Sequence, residues 1–134
     1  MNKKKNLING VQKVSMVSIR GAITVENNDR VEMLEATKEL LTAVIKENHI
    51  KLDEIIAIHF TATKDLDAVY PAVAAREIGI VEASLMCFQE MYVQNSLSMC
   101  IRIEMQVEKD GLTRKNAIHQ YLRGAKVLRP DLAK

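Results

Sequence analysis

The sequence predicts an α+β (mixed α/β) fold: a sheet of about five strands with one face covered by helix. Three observations predict it. Residues 29–49 hold one long amphipathic stretch, segments near 54–63 and 100–107 are Ile-rich or strictly alternating, and the element order runs strand, long helix, strand, short helix, then mostly strands.

Each element can be justified in turn. "MNKKKNLING" is basic, is followed by no continuous apolar segment or small-residue cleavage site, and reads as part of a flexible extension over residues 1–13, ahead of a single domain over 14–134. Val14 to Ile19 mixes apolar and hydroxyl residues as a first strand, with Arg20-Gly21 as the turn after it. Asp29 and Glu32 have capping-box spacing. Val31, Leu34, Leu41, Val44 and Ile45 then recur at helical spacing, with Leu40 beside them, in a helix ending near Asn48-His49.

"EIIAIHFTAT" (54–63) is a buried strand; Asp65, Asp67 and Pro71 break the pattern before a short helix through "AVAAREI", closed by Gly79. "ASLMCFQEM" (83–91) is a third strand and "NSLS" (95–98) a turn. "CIRIEMQV" (100–107) puts Ile101, Ile103, Met105 and Val107 on one face and Arg102, Glu104 and Gln106 on the other. Asp110-Gly111 is a turn, and "AKVLRPDL" closes the chain as a strand and tail stopped by Pro130. One long helix cannot hide both faces of such a sheet, so the strand at 101–107 is expected to pack against another subunit.

Composition narrows the function classes. At 134 residues, 48% hydrophobic and 27% charged, the chain suits one soluble domain with a real core. A net charge of +2 with scattered Lys and Arg, no Trp and few aromatics argue against nucleic-acid and membrane partners. The two cysteines, Cys87 and Cys100, make neither a disulfide framework nor a CxxC zinc pair, and fit a reducing compartment such as the cytoplasm. Nucleophile-elbow, phosphate-loop, Rossmann and HExxH signatures are absent, and His49, His59 and His119 are irregularly spaced for a metal.

Polar residues that interrupt apolar elements remain. Arg20, Arg76, Arg102 and Arg129 each lie within or at the end of an element, as does Glu90. Any one alone reads as a solvated edge or surface ion pair. Four guanidinium forks gathered together would suit a compact anion with more than one negative group.

"IRGAITVE" (19–26), "TATKDLDAVYPAVAAREIG" (61–79), "MCFQEM" (86–91), "CIRIEM" (100–105) and "YLRGAKVLRPDL" (121–132), in that order, resemble the monofunctional chorismate mutases of the trimeric α/β-barrel class, from about Val17 to Leu132. The resemblance implies a five-stranded mixed sheet with one long and one short helix per subunit, three sheets meeting as a pseudo-α/β-barrel homotrimer with active sites between subunits. It implies the Claisen rearrangement of chorismate to prephenate, a step in aromatic amino-acid biosynthesis, with no covalent intermediate, cofactor or metal. Arg102 would then reach the ether oxygen and one carboxylate, and Arg20 and Tyr121 would hold carboxylates. Glu90 would accept the ring hydroxyl proton with Cys87 beside it, Tyr70 would wall the pocket, Arg76 would guard its entrance, and Leu128 and Arg129 would close over it. Two departures stand out: Val73 where the pattern often has Lys, and Met86 in place of a small hydroxyl residue. Rival expectations are a non-catalytic trimeric sensor of aromatic-pathway carboxylates, or an imine/enamine deaminase of similar architecture, whose glycine-proline segments are missing.

Overall fold

A computed structural model of the chain describes residues 7–8, 11–12 and 15–132, with side chains from 15 onward. Two-residue strands β1 (Leu7–Ile8) and β2 (Val11–Gln12) pair antiparallel, Leu7 opposite Gln12 and Ile8 opposite Val11. The rest of the segment expected as an extension, and Val14 of the first expected strand, lie outside the described residues.

Five strands form the main sheet: β3 (Met16–Thr24), β4 (Ile55–Ala62), β5 (Ser84–Gln89), β6 (Cys100–Glu108) and β7 (Gln120–Leu122). Their order across the sheet is β5-β4-β6-β3-β7. β6 is antiparallel to both β3 and β4, whereas β4–β5 and β3–β7 are parallel, so the sheet is mixed as expected.

Helix α1 (Arg30–Glu47) covers one face. Asp29 caps it by accepting the Glu32 N–H at 3.0 Å. The expected box is only half made: the Glu32 carboxylate takes Asn27 Nδ2 at 3.2 Å, while the Asp29 N–H goes to the Asn27 carbonyl. Val31, read as the first residue of the apolar stripe, is 58% exposed, and the buried stripe starts at Met33 and runs through Leu40, Leu41 and Val44. These residues meet Ile19, Ile23, Ile58, Phe60, Ile101 and Met105 in one core. At the other end His49 turns left-handed (φ 53°) and stops the helix. Helix α2 (Ala72–Glu77) lies between β4 and β5 and ends at Gly79, whose φ of 96° an L side chain adopts only with strain.

Two expectations are corrected. Arg20-Gly21 is not a turn, because β3 runs straight through it to Thr24. Gly21 is there for close approach: a Cβ would stand 3.0 Å from Leu40 Cδ1 and 3.1 Å from the Gln120 carbonyl oxygen. "AKVLRPDL" is not a strand either. The last strand is Gln120–Leu122, and Arg123–Leu128 forms a 3₁₀ turn that folds over the end of β3. Arg123 is left-handed (φ 53°), its guanidinium reaches Glu39 at 2.8 Å, and the Gly124 N–H donates to Thr24 Oγ1 at 2.9 Å. Ala125 then buries against Ala22, Cys100 and Tyr121 in a second small cluster.

That cluster covers one end of the sheet's second face. The rest of the face carries Met16, Arg20, His59, Met86, Phe88, Arg102 and Glu104, with Met16 57%, Met86 53% and Phe88 45% exposed.

Candidate active site

Strand register arranges the second face in rows, since directly opposed residues share a side of the sheet. One row runs Phe88, Thr61, Arg102, Ala22, Tyr121, and the next runs Met86, His59, Glu104, Arg20. Residues 85 sequence positions apart, such as Arg102 and Val17, are thereby sorted to opposite sides: Val17, Ile101 and Ile103 point to the core, Arg20 and Arg102 away from it.

The Arg102–Glu90 pair is the centre of this face. Arg102 donates through Nε to Glu90 Oε1 at 2.7 Å and through Nη2 to Oε2 at 2.7 Å, a parallel two-bond fork. Thr61, directly opposite Arg102, donates its hydroxyl to the same Oε1 at 2.6 Å. Glu90 lies one residue beyond β5, but its N–H continues the ladder by donating to the Ala62 carbonyl at 2.9 Å. The hydrogen bonds from Arg102 hold the Glu90 carboxyl below its ordinary pKa against the opposing effect of burial, and Thr61 adds to them. Glu90 in turn raises Arg102. A guanidinium has five N–H donors, and Glu90 takes two of them, leaving the rest for a ligand.

Clefts flank this pair on both sides. One of about 340 Å³ lies among Arg20, Arg102, Glu104, Phe88 and Tyr121. Another of about 240 Å³ lies among Glu90, Arg102, Cys100, Leu97 and Leu128. The structure thus brings together Arg20, Glu90, Arg102, Tyr121 and Leu128 around one guanidinium.

The remaining expected residues lie elsewhere. Cys87 opposes Phe60 and packs toward the helix-covered side of β5, the edge strand. It lines a third cleft, of about 530 Å³, with Tyr70, Pro71, Val73 and Gln89. Burial raises the Cys87 thiol, while the Ala72 N–H and Arg76 pull it the other way, so the group stays protonated near neutral pH. Arg76 is exposed on α2 near this thiol, and Tyr70 is 73% exposed. Arg129 is half-buried and forked onto Asp131, at 3.1 and 2.8 Å. Within one chain Cys87 and Glu90, three residues apart in sequence, do not share a cleft. Thr61 was not singled out from the sequence; its signal is a hydroxyl in the polar phase of an otherwise apolar strand.

Among the described residues no cluster of His, Cys, Asp and Glu could hold a metal ion. No helix among them is long and apolar enough to cross a membrane.

A mixed sheet with one helical layer carries, on its other face, arginines and a carboxylate held in fixed geometry. The chain belongs to the chorismate mutase type I family, whose model matches residues 16–132. It is 44% identical over 116 residues to chorismate mutase AroH of Bacillus subtilis, covering 86% of this chain and 91% of that one. To chorismate mutase AroH of Thermus thermophilus it is 40% identical over 115 residues, covering 85% and 93%. The solved chorismate mutase from Clostridium thermocellum superposes with a TM-score of 0.81 at 46% identity, covering 83% of this chain and 98% of that one.

Proposed function

We propose that the protein rearranges chorismate to prephenate in sites completed between neighbouring copies of the chain, three to an assembly. The observation that carries this reading is the Glu90–Arg102 fork, set beside Arg20 and Tyr121 on a sheet face left largely open in one chain. Arg20, Glu90, Arg102, Tyr121 and Leu128 form one half-site. Tyr70, Val73 and Cys87 form the other, at the far edge of the sheet with Arg76 nearby, and a second copy is what lets the two meet. Exposed Met16, Met86 and Phe88 suit burial against such a copy.

The reaction needs no nucleophile: an ether C–O bond breaks as a C–C bond forms within one molecule. The protein's part is to hold the dianion in its compact chair-like conformer and to stabilise the charge that grows on the ether oxygen. Arg102 does the second through N–H donors not engaged by Glu90, in a position fixed before substrate arrives. Glu90, ionised by its own pairing, accepts a hydrogen bond from the ring hydroxyl. Arg20 and Tyr121 hold carboxylates, Cys87 lends a neutral S–H to the ring, Tyr70 walls the pocket, Arg76 guards its mouth, and Leu128 with Arg129 covers the site. Val73 leaves that mouth without an extra cation, so steering of the dianion is weaker than a lysine there would give. Two free thiols and no required cofactor suit the cytoplasm.

The test is loss of chorismate ultraviolet absorbance on adding purified protein without cofactor or metal, with prephenate identified as product. Replacing Arg102 by citrulline, which keeps shape but removes charge, should slow turnover by about a hundredfold or more, roughly 3 kcal/mol, with a smaller effect on affinity. Turnover near the parent value would remove Arg102 from the role, and binding without turnover would make the protein a sensor.

A further inference from the structure

His119 stands one residue before β7 and is half-buried. Its Nδ1 accepts the backbone N–H of Arg20 at 2.9 Å. β7 starts at Gln120, paired with Gly21, so the main chain of β7 supplies no partner for that N–H, and the imidazole takes the next rung of the ladder. On its other flank, Ile118 is clamped through both backbone groups by the Asn48 side chain, at 2.9 and 2.7 Å.

We propose that neutral His119 is a positioning residue: by accepting the Arg20 N–H it fixes the root of the Arg20 side chain and the entry of the strand that carries Tyr121. This rests on the reading that those two residues hold substrate carboxylates. Losing the acceptor, by substitution or by protonation, should weaken substrate binding more than the chemical step.

The chemistry of imidazole sets the requirement. Nδ1 accepts only when it carries no proton, so the neutral ring must bear its hydrogen on Nε2. Burial first, then the charges of Arg20 from β3 and Arg129 from the C-terminal segment, push the ring's pKa below the ordinary value. Asp131 is committed to Arg129 through both oxygens, and Glu104, opposite Arg20 on β6, lies 3.5 Å from His59 Nδ1. The α1 side offers the uncharged Asn48. The site is therefore built to keep His119 neutral through the pH range in which an ordinary histidine begins to charge.

The experiment is the pH dependence of kcat and KM for the parent, His119→Asn and His119→Leu. Asn places an amide oxygen near the Nδ1 position and does not titrate there. In the parent, KM should rise as pH falls below the histidine range while kcat changes by less than about twofold. His119→Leu should raise KM about tenfold at every pH, the scale of one lost hydrogen bond with its donor left unpaired. His119→Asn should stay within about threefold of the parent KM above that range and lose the acid rise. A parent-like KM for His119→Leu, or an acid rise retained in His119→Asn, overturns the proposal. His119→Leu could simply unfold; the imidazole ¹⁵N shifts of the parent near neutral pH then decide, an Nε2–H tautomer supporting the proposal and an Nδ1–H or charged ring overturning it. Arg20→Ala separates the two levels. If it leaves KM unchanged, the carboxylate-holding role of Arg20 fails; if it raises KM while the His119 variants stay level, only the role of His119 fails.

Discussion

Two inactive variants that damage different half-sites should restore activity when their chains are mixed in one assembly. Arg102→Ala removes the central cation and leaves Glu90, now without its fork, facing an incoming dianion. Val73→Asp puts a carboxylate at the half-buried second residue of α2, in the lining of the 530 Å³ cleft. A carboxylate is tolerated in a helix's first turn. At about 6 Å from a substrate carboxylate and an effective dielectric near 20, it repels by roughly 3 kcal/mol, about a hundredfold in binding. Each parent should thus work at about a hundredth of normal or less. In a random one-to-one mixture, a site needs its arginine half from a Val73→Asp chain and its Cys87 half from an Arg102→Ala chain. Each condition holds with a chance of about one half, so about a quarter of sites are intact. The assay is chorismate loss after the two chains are unfolded and refolded together, with native mass spectrometry to verify mixed assemblies. Mixed trimers with activity no higher than the mean of the parents would show that both halves act within one chain. A monomeric mass would refute the reasoning at its first step.

Further outcomes follow from single contacts. Cys87→Ser should keep turnover within about tenfold, measured as initial rates, because the proposed role of the thiol is that of a neutral neighbour of the ring; loss of roughly 10⁴-fold or more would mark a nucleophile. Gly21→Ala should cost about 1–3 kcal/mol in urea unfolding, since the new methyl stands 3.0 Å from Leu40 Cδ1 and 3.1 Å from backbone oxygen. Glu90 has a folded pKa below its unfolded one, so its contribution to stability is present above the unfolded value and is lost as pH falls through the folded value. Stability measured across the acid range should therefore be flatter in Glu90→Gln than in the parent, and an unchanged slope would mean the fork contributes nothing to folding.

Much of the fold was legible because two periods are hard to mistake. Residues 101–108 alternate without a break within the central strand, and the 3.6-residue spacing from Leu34 to Val44 marks the buried side of α1. Errors arose where tertiary contacts override local signals. Arg20-Gly21 looks like a turn, yet the glycine lets Leu40 sit on the strand. Val31 fits the helical stripe by spacing but falls just before α1 meets the sheet. The residues 125–132 have an apolar phase, but left-handed Arg123 and the Gly124–Thr24 contact turn them across β3. Arg102 was visible as a charge within an apolar strand and Arg20 as a charge just after one. Thr61 and His119 were not, because a hydroxyl and an imidazole at a strand edge look ordinary until their partners, 29 and 99 residues distant, are known.

The splitting of Cys87 from Glu90 follows from the geometry of an extended chain. Successive residues of a strand alternate sides, so positions separated by an odd number face opposite ways. Position 88 shares its side with Thr61 and Arg102, and 90 continues that phase; position 87 joins Phe60 on the side of the helices. Both polar groups can therefore serve one substrate only if the edge of the sheet meets a surface from elsewhere. Because β5 is an edge strand, its outer side is free for that meeting, whereas β6, which carries Arg102, is central and held between β3 and β4. In the proposed site, the rigid central strand would fix the cation, and the edge would supply the neutral wall whose position can vary more at smaller cost. Under the proposed roles of Cys87 and Glu90, this one pair of residues, three positions apart, would make assembly a condition of the chemistry.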